Sequence, residues 1–253
     1  MLSSLSLDRK VVMVTGATKG IGYGIAKGMA EAGADLIVVS RHQEDCEHVA
    51  SEIAAMGREA LPVAADMRNI ESIDRLVDKS IQKFRRIDVL VNNAGTAHTQ
   101  APEEITEEEW DSVLDLNLKG AFFAAQKVGK RMINQMQGKI INIGSIFSFT
   151  GDGNIAAYCS SKGGVLLMTK SLALAWAKYN IQVNLVAPGY IETKMNSEVL
   201  HQERVYKHLM RKTPAKRLGQ VEDLIGSVVY LSSPASNFTT GQSIVVDGGW
   251  LAG

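Results

Sequence analysis

The chain has 253 residues, 45% of them apolar and 21% charged, and its 27 Lys and Arg balance its 27 Asp and Glu. That length can bury one large α/β core, and zero net charge leaves no global field to attract nucleic acid or anionic lipid. No apolar run approaches the roughly 20 residues needed to cross a bilayer, and Met1–Asp8 lacks the basic and apolar regions of a signal peptide. Cys46 and Cys159 are too few for a disulfide framework, and neither they nor the five histidines show metal-ligand spacing. The expectation is a cytoplasmic protein without a metal.

Short aliphatic runs alternate with helix-length segments along the whole chain. The runs are Val11–Val14, Leu36–Val39, Leu61–Val63, Val89–Val91, Ile140–Ile143, Val183–Val186 and Ile244–Val246. Near-continuous runs of this kind are strands buried on both faces. Helical patterns fill residues 20–32, 43–56, 70–84, 107–136, 156–179 and 221–232. The alternation predicts a doubly wound α/β fold, a parallel sheet with helices on both sides. No repeat, low-complexity tract or linker divides it, so one domain over 1–253 is expected.

The first strand runs into Thr15-Gly16-Ala17-Thr18-Lys19-Gly20-Ile21-Gly22 and then a helix. Glycines there let the backbone turn tightly and approach a pyrophosphate held at a helix N-terminus. The second strand ends Val39-Ser40-Arg41, with a cation where an acid would receive the ribose hydroxyls of NAD. Arg41, with Lys19 from the glycine turn, points to the 2′-phosphate of NADP(H), while Glu44 or Asp45 leaves NAD(H) open. Asp66 follows the third strand and can accept from an adenine amino group or cap the next helix. Asn92-Asn93-Ala94-Gly95 forms a turn at the strand end where ligands bind in such sheets. Asn117 lies mid-helix, where asparagine is a poor choice, which suggests a local break or a buried amide role.

Tyr158 and Lys162 share one helix face, four residues apart. An ammonium beside a phenol stabilises the phenolate, and lowering its pKa to about 7 takes roughly 4 kcal/mol. A tyrosine so tuned exchanges a proton with an alcohol or a carbonyl oxygen, to which Ser145 can donate a hydrogen bond. Tyr23/Lys27 and Tyr190/Lys194 have the same spacing. Only Tyr158 follows a strand that delivers a serine and opens a long helix free of proline.

Together these motifs resemble the short-chain dehydrogenase/reductase family, in the family's order and across essentially the whole chain: Thr15-Gly-x-x-x-Gly-Ile-Gly, Asn92-Asn-Ala-Gly, Asn117, Ser145, Tyr158-x-x-x-Lys162 and Pro188-Gly189. The resemblance implies a Rossmann-like sheet of seven parallel strands and a nicotinamide cofactor. It makes Tyr158 the acid/base and Ser145 the group that polarises the substrate oxygen. Lys162 would hold the nicotinamide ribose and lower the tyrosine pKa, and Asn117 would position a water in a proton relay. Gly16, Thr18, Lys19, Gly20, Ile21 and Gly22 would receive the cofactor, with Ser40, Arg41, Asp66 and Met67 on its adenosine side. Asn93, Ala94, Gly95, Pro188, Gly189 and Ile191 would line it, and Thr193 would hold the carboxamide. Family members are commonly tetramers joined through the two long helices that carry Asn117 and Tyr158.

Residues 194–217 are expected to cover the substrate, and they hold Lys194, Arg204, Lys207, Arg211, Lys212, Lys216 and Arg217 against few acids. That bias suits either a solvated face or an anionic substrate. The ending Val245-Val246-Asp247-Gly248-Gly249-Trp250 is similar to gluconate and deoxygluconate dehydrogenases. The overall pattern also resembles 3-oxoacyl-carrier-protein reductases. These usually place an arginine after Ser-Leu-Ala, where this chain has Leu174; Lys127, Lys130 and Arg131 compensate only in part. The lean is to a sugar acid or polyol. All three catalytic side chains are present, which disfavours a cofactor-binding regulator.

Overall fold

The computed structural model describes residues 3–253; Met1 and Leu2, the start of the segment judged free of a signal peptide, lie outside the described residues. Seven parallel strands form one sheet: β1 (Val11–Thr15), β2 (Asp35–Ser40), β3 (Ala60–Ala64), β4 (Val89–Asn92), β5 (Gly138–Ile143), β6 (Ile181–Pro188) and β7 (Ser243–Val246). Their order is β3-β2-β1-β4-β5-β6-β7. The chain therefore winds outward one way from β1 and then the other way from β4. This places a crevice at the carboxyl ends of β1 and β4, where ligands bind in such sheets.

The helices are α1 (Gly20–Glu31), α2 (Gln43–Ala55), α3 (Ile70–Phe84), α4 (Glu107–Leu114), α5 (Ala121–Gln135), α6 (Ala156–Trp176), α7 (Ser197–Leu200), α8 (Glu203–Lys212) and α9 (Glu222–Ser232). Side chains alternate across each strand, so the aliphatic runs feed two cores. Val12, Val14, Leu36, Val38, Val89 and Val91 face α1, α2 and α9 through Ile25, Ile53 and Leu224. Met13, Ile37, Val39, Leu90 and Ile140 face α3, α5 and α6 through Leu76, Val128 and Leu172.

The helical pattern over 107–136 is interrupted. A wide π-turn occupies Asp115–Gly120, between α4 and α5, with buried Asn117 inside it. Gly120 presses against the Met67 carbonyl, leaving no room for a Cβ. Wide turns of this kind concentrate at functional positions in helices. At the far end of the sheet Lys139 is buried against Gln182 Oε1 and Ser236 Oγ, each at 3.0 Å, and burial with the nearby charge of Lys10 pulls it to about 8. Among the described residues no helix is long and apolar enough to cross a membrane, and no cluster of His, Cys, Asp or Glu could hold a metal. Cys46 and Cys159 are both free.

Candidate active site

After β1 the backbone enters the left-handed region at Gly16 (φ 66°) and Gly20 (φ 53°), and α1 begins. Lys19, at its N-cap, makes no side-chain cap, so the first-turn N–H groups keep their capacity for an anion. A Cβ on Gly22 would run into the Gly16 carbonyl oxygen and the Asn93 amide. Thr15 Oγ1 accepts from the Asn93 and Ala94 N–H groups, both at 3.0 Å, and Asn93 Nδ2 donates back to Thr15 O at 2.9 Å. The two turns are thus one unit. Thr18 and Ile21 are half-buried beside them.

Ser40 ends β2 with its hydroxyl 3.2 Å from Cys46 Sγ. Arg41 is exposed and makes no ion pair among the described residues, and Lys19 lies 3.8 Å from Asp45 with both side chains in solvent. Asp66 does not take the capping role. Its carboxylate accepts from Arg68 Nη2 at 2.9 Å, a contact that holds it below the usual carboxylate range, and the cap of α3 is Asn69, which accepts from Ser72 N–H. Met67 is buried beneath it.

At the end of β5, Ser145 opens a short turn, its Oγ accepting from Phe147 N–H at 3.2 Å. The hydroxyl hydrogen is left free to donate. Tyr158 lies in the first turn of α6, its ring 6.3 Å from that of Phe147. Lys162, one turn on, is buried with Nζ 5.6 Å from the Tyr158 ring centroid, and it donates to Ile143 O at 2.8 Å. The electrostatics run opposite to the sequence expectation. Burial pushes the Tyr158 phenol up from its ordinary value, with the Ser145 hydroxyl pulling back in part. Burial also draws Lys162 down to about 8. Helical spacing predicts that the two side chains are neighbours but not how dry the site is, and loss of water disfavours both charged forms.

Asn117 makes three side-chain hydrogen bonds to protein. Its Nδ2 donates to Thr96 O (2.8 Å) and Ser161 Oγ (3.1 Å), and its Oδ1 accepts from Thr96 N–H (2.8 Å). The amide staples the loop after β4 to α6, and Oδ1 keeps a second lone pair beyond the Thr96 N–H. Pro188 ends β6, and Gly189 abuts the Asp247 backbone closely enough to exclude a Cβ. Ile191 is buried. Thr193 reaches across to the glycine turn, its Cγ2 3.5 Å from where a Gly20 Cβ would stand.

The other two Tyr/Lys pairs lie elsewhere. Tyr23 donates to Glu52 at 2.7 Å on the surface of α1 and α2. Tyr190 packs between Phe147 (6.3 Å) and Trp250 (5.0 Å), while Lys194 is exposed. Sequence reasoning gave no role to Thr15 in joining the turns, or to Thr96, Phe147 and Ser161. Thr15 was legible in principle, as a hydroxyl on the last residue of a buried strand.

The family model described as Enoyl-(Acyl carrier protein) reductase, a short-chain dehydrogenase/reductase model, matches residues 16–251. The chain belongs to the short-chain dehydrogenase/reductase family. It is 42% identical to the 2-dehydro-3-deoxy-D-gluconate 5-dehydrogenase of Escherichia coli (strain K12) over 253 residues, covering 100% of this chain and 99% of the relative. It is 38% identical to a 3-oxoacyl-[acyl-carrier-protein] reductase of Synechocystis sp. over 248 residues, 97% of this chain and 98% of the relative. The crystal structure of a gluconate 5-dehydrogenase from Burkholderia cenocepacia J2315 in complex with NADP and tartrate superposes with a TM-score of 0.97 at 36% identity, over 100% of this chain and 99% of that one. This short-chain dehydrogenase/reductase is an oxidoreductase, and its seven-stranded parallel sheet flanked by helices is the one the motifs implied.

Proposed function

We propose that the protein is an NADP(H)-dependent oxidoreductase that interconverts a keto sugar acid and the corresponding secondary alcohol. The observation that carries the reading is the Ser145 and Tyr158 hydroxyls beside each other at the carboxyl end of β5, with Lys162 buried one helical turn behind. When bound, the nicotinamide would supply or accept the hydride. Tyr158 gives the substrate oxygen a proton in reduction and takes it back in oxidation, while Ser145 donates a hydrogen bond to the same oxygen.

The cofactor fit rests on the glycine turn, which excludes a Cβ at Gly22, and on the uncapped start of α1. Arg41 and Lys19 would meet a 2′-phosphate, which favours NADP(H); the Burkholderia enzyme was crystallised with NADP. Asp66, engaged by Arg68, would keep at most part of its accepting capacity for adenine. Gly22→Ala should weaken NADPH binding by more than about tenfold, because the Gly16 carbonyl must move. Gly226→Ala on α9, with nothing within 4 Å of the added methyl, should bind normally and gain up to about 1 kcal/mol of stability. NADPH fluorescence titration and thermal melts of the two variants check this.

The sugar-acid class is supported by the Escherichia coli and Burkholderia relatives and by the cations of residues 194–217, which would cover the substrate as a lid. The second reading, a 3-oxoacyl thioester reductase, is favoured by the Synechocystis relative. The cations a carrier would use on α5 are partly occupied: Lys127 pairs with Asp74 (2.7 Å) and Arg131 with Asp78 (3.0 Å). We further propose a homotetramer in the cytoplasm. Leu114, Leu118, Phe122, Phe123 and Met168 line an open hollow between α4, α5 and α6, and Leu167 and Leu174 are exposed nearby, which suits burial against another copy.

The deciding experiment is a panel of gluconate, 5-ketogluconate, deoxygluconates and acetoacetyl thioesters, followed by nicotinamide absorbance with both cofactors. The expected result is fastest turnover of a keto sugar acid with NADPH. Faster turnover of the thioesters would replace the substrate reading, and a strong preference for NADH would overturn the argument from Arg41 and Lys19.

A further inference from the structure

The segment between β6 and α9 leaves the sheet and returns to it, and one carboxylate ties its two ends together. Glu192 Oε1 accepts from Ser197 Oγ and from His201 Nε2, each at 2.7 Å, at the start of α7 and just past its end. Oε2 accepts from Gln220 Nε2 at 3.2 Å, where the segment comes back to α9. The backbone repeats the closure. Glu192 N–H donates to Gly219 O at 2.8 Å and Gly219 N–H donates to Tyr190 O at 2.9 Å, flanking a parallel bridge between Ile191 and Gly219. Three donors on one carboxylate hold it below the usual range.

The clasp adjoins the site through the next residue. Thr193 gives its N–H (2.8 Å) and its hydroxyl (3.1 Å) to Asn196 Oδ1, and Asn196 Nδ2 returns to Ile191 O at 2.9 Å. Thr193 is thereby fixed against the Gly20 turn. Ser197 and His201 lie on the side of this knot that leads into the lid, and Gln220 on the side that leads out.

We propose that Glu192 is a positioning residue that keeps the 194–217 segment closed and Thr193 seated against the cofactor turn, without itself touching cofactor or substrate. The proposal rests on the reading of 194–217 as the substrate cover. A carboxylate is the group for this task, because it accepts several hydrogen bonds at once and each is strengthened by its charge. Loosening the seat of a cofactor-contacting residue removes binding that the ground and transition states share, which raises KM with kcat little changed.

The segment carries its own reporter, since Lys194, Arg204, Lys207, Arg211, Lys212, Lys216 and Arg217 are all trypsin sites. In Glu192→Ala, trypsin cleavage within 194–217 should rise about tenfold while the rest of the chain stays intact, and the KM for NADPH should rise about tenfold with kcat within about threefold. Glu192→Gln, which keeps one accepting oxygen, should recover most of both. NADPH should protect the segment in the wild type and fail to do so in Glu192→Ala. Unchanged cleavage and KM in Glu192→Ala would overturn the proposal. So would a glutamine variant as impaired as the alanine one, or cleavage spread over the whole chain. Proteolysis, with and without NADPH, needs no sugar substrate, so a failure of the substrate reading would be seen separately.

Discussion

Replacing Tyr158 by phenylalanine is expected to lower kcat by about 10²–10⁴-fold, with NADPH affinity and thermal stability nearly unchanged. Only one oxygen is removed. The ring that packs edge-on against Phe147 at 6.3 Å is retained, and Ser145 and Lys162 keep their protein partners at Phe147 N–H and Ile143 O. The residual rate is what Ser145 and orientation supply without proton transfer. The direction of the phenol's shift adds a signature. Burial raises the Tyr158 phenol from its ordinary value, so in the free enzyme the proton is in place throughout the neutral range. Ketone reduction, which needs the phenol, should be nearly level with pH between about 6 and 8. Alcohol oxidation, which needs the phenolate, should climb across the same range. Both should go flat and slow in the phenylalanine variant. Steady-state kinetics in the two directions measure this, and a variant retaining more than about a tenth of the wild-type rate would remove Tyr158 from the acid/base role.

The architecture was legible because the central strands are buried on both faces and so read as near-continuous aliphatic runs. Val11–Thr15 and Ile181–Pro188 need no side-chain partner to be recognised. The glycine turn was legible for a related reason: Gly16 and Gly20 adopt positive φ, and that requirement leaves a mark in composition. Asn117 announced a break in a helical pattern, and a π-turn is there. Other features depend on contacts between residues distant in the chain, and local pattern cannot carry those. Asp66 was free to cap a helix until Arg68 folded back on it and Asn69 took the end of α3. The Asn117 amide makes its contacts with Thr96 and Ser161, 21 and 44 residues away. The phenol–lysine pair showed the same limit, since i,i+4 spacing reports adjacency while the shift of each pKa is set by how much water the surrounding fold removes.

The second large effect is expected at Lys162, where Lys162→Met should lower kcat/KM by about 10²–10³-fold without lowering stability. The side chain is buried and makes one protein hydrogen bond, to Ile143 O. An ammonium carries three donors, so two remain for the cofactor ribose and the phenol's surroundings. Methionine fills the same volume and cannot serve either. On the stability side two terms oppose. The Ile143 carbonyl loses its donor, a cost of about 1–3 kcal/mol, while a charge no longer has to be buried. Lys162 falls from 10.5 to about 8 in the fold, and that shift corresponds to roughly 3 kcal/mol of unfavourable burial at neutral pH. The terms nearly cancel, so the melting temperature should hold or rise slightly. The sign of the pH dependence follows from the same shift. Between about pH 8 and 10.5 the unfolded chain binds the proton that the folded lysine has released, so wild-type stability gains as pH rises through that window. The burial cost is fully present below it. Lys139, likewise drawn to about 8, contributes a second such gain, so Lys162→Met should remove about half of the rise and leave the other half. Denaturant titrations on either side of the window measure it. A variant that loses stability in step with activity would make Lys162 a structural residue. One that loses activity alone ties its charge to the chemistry at Tyr158.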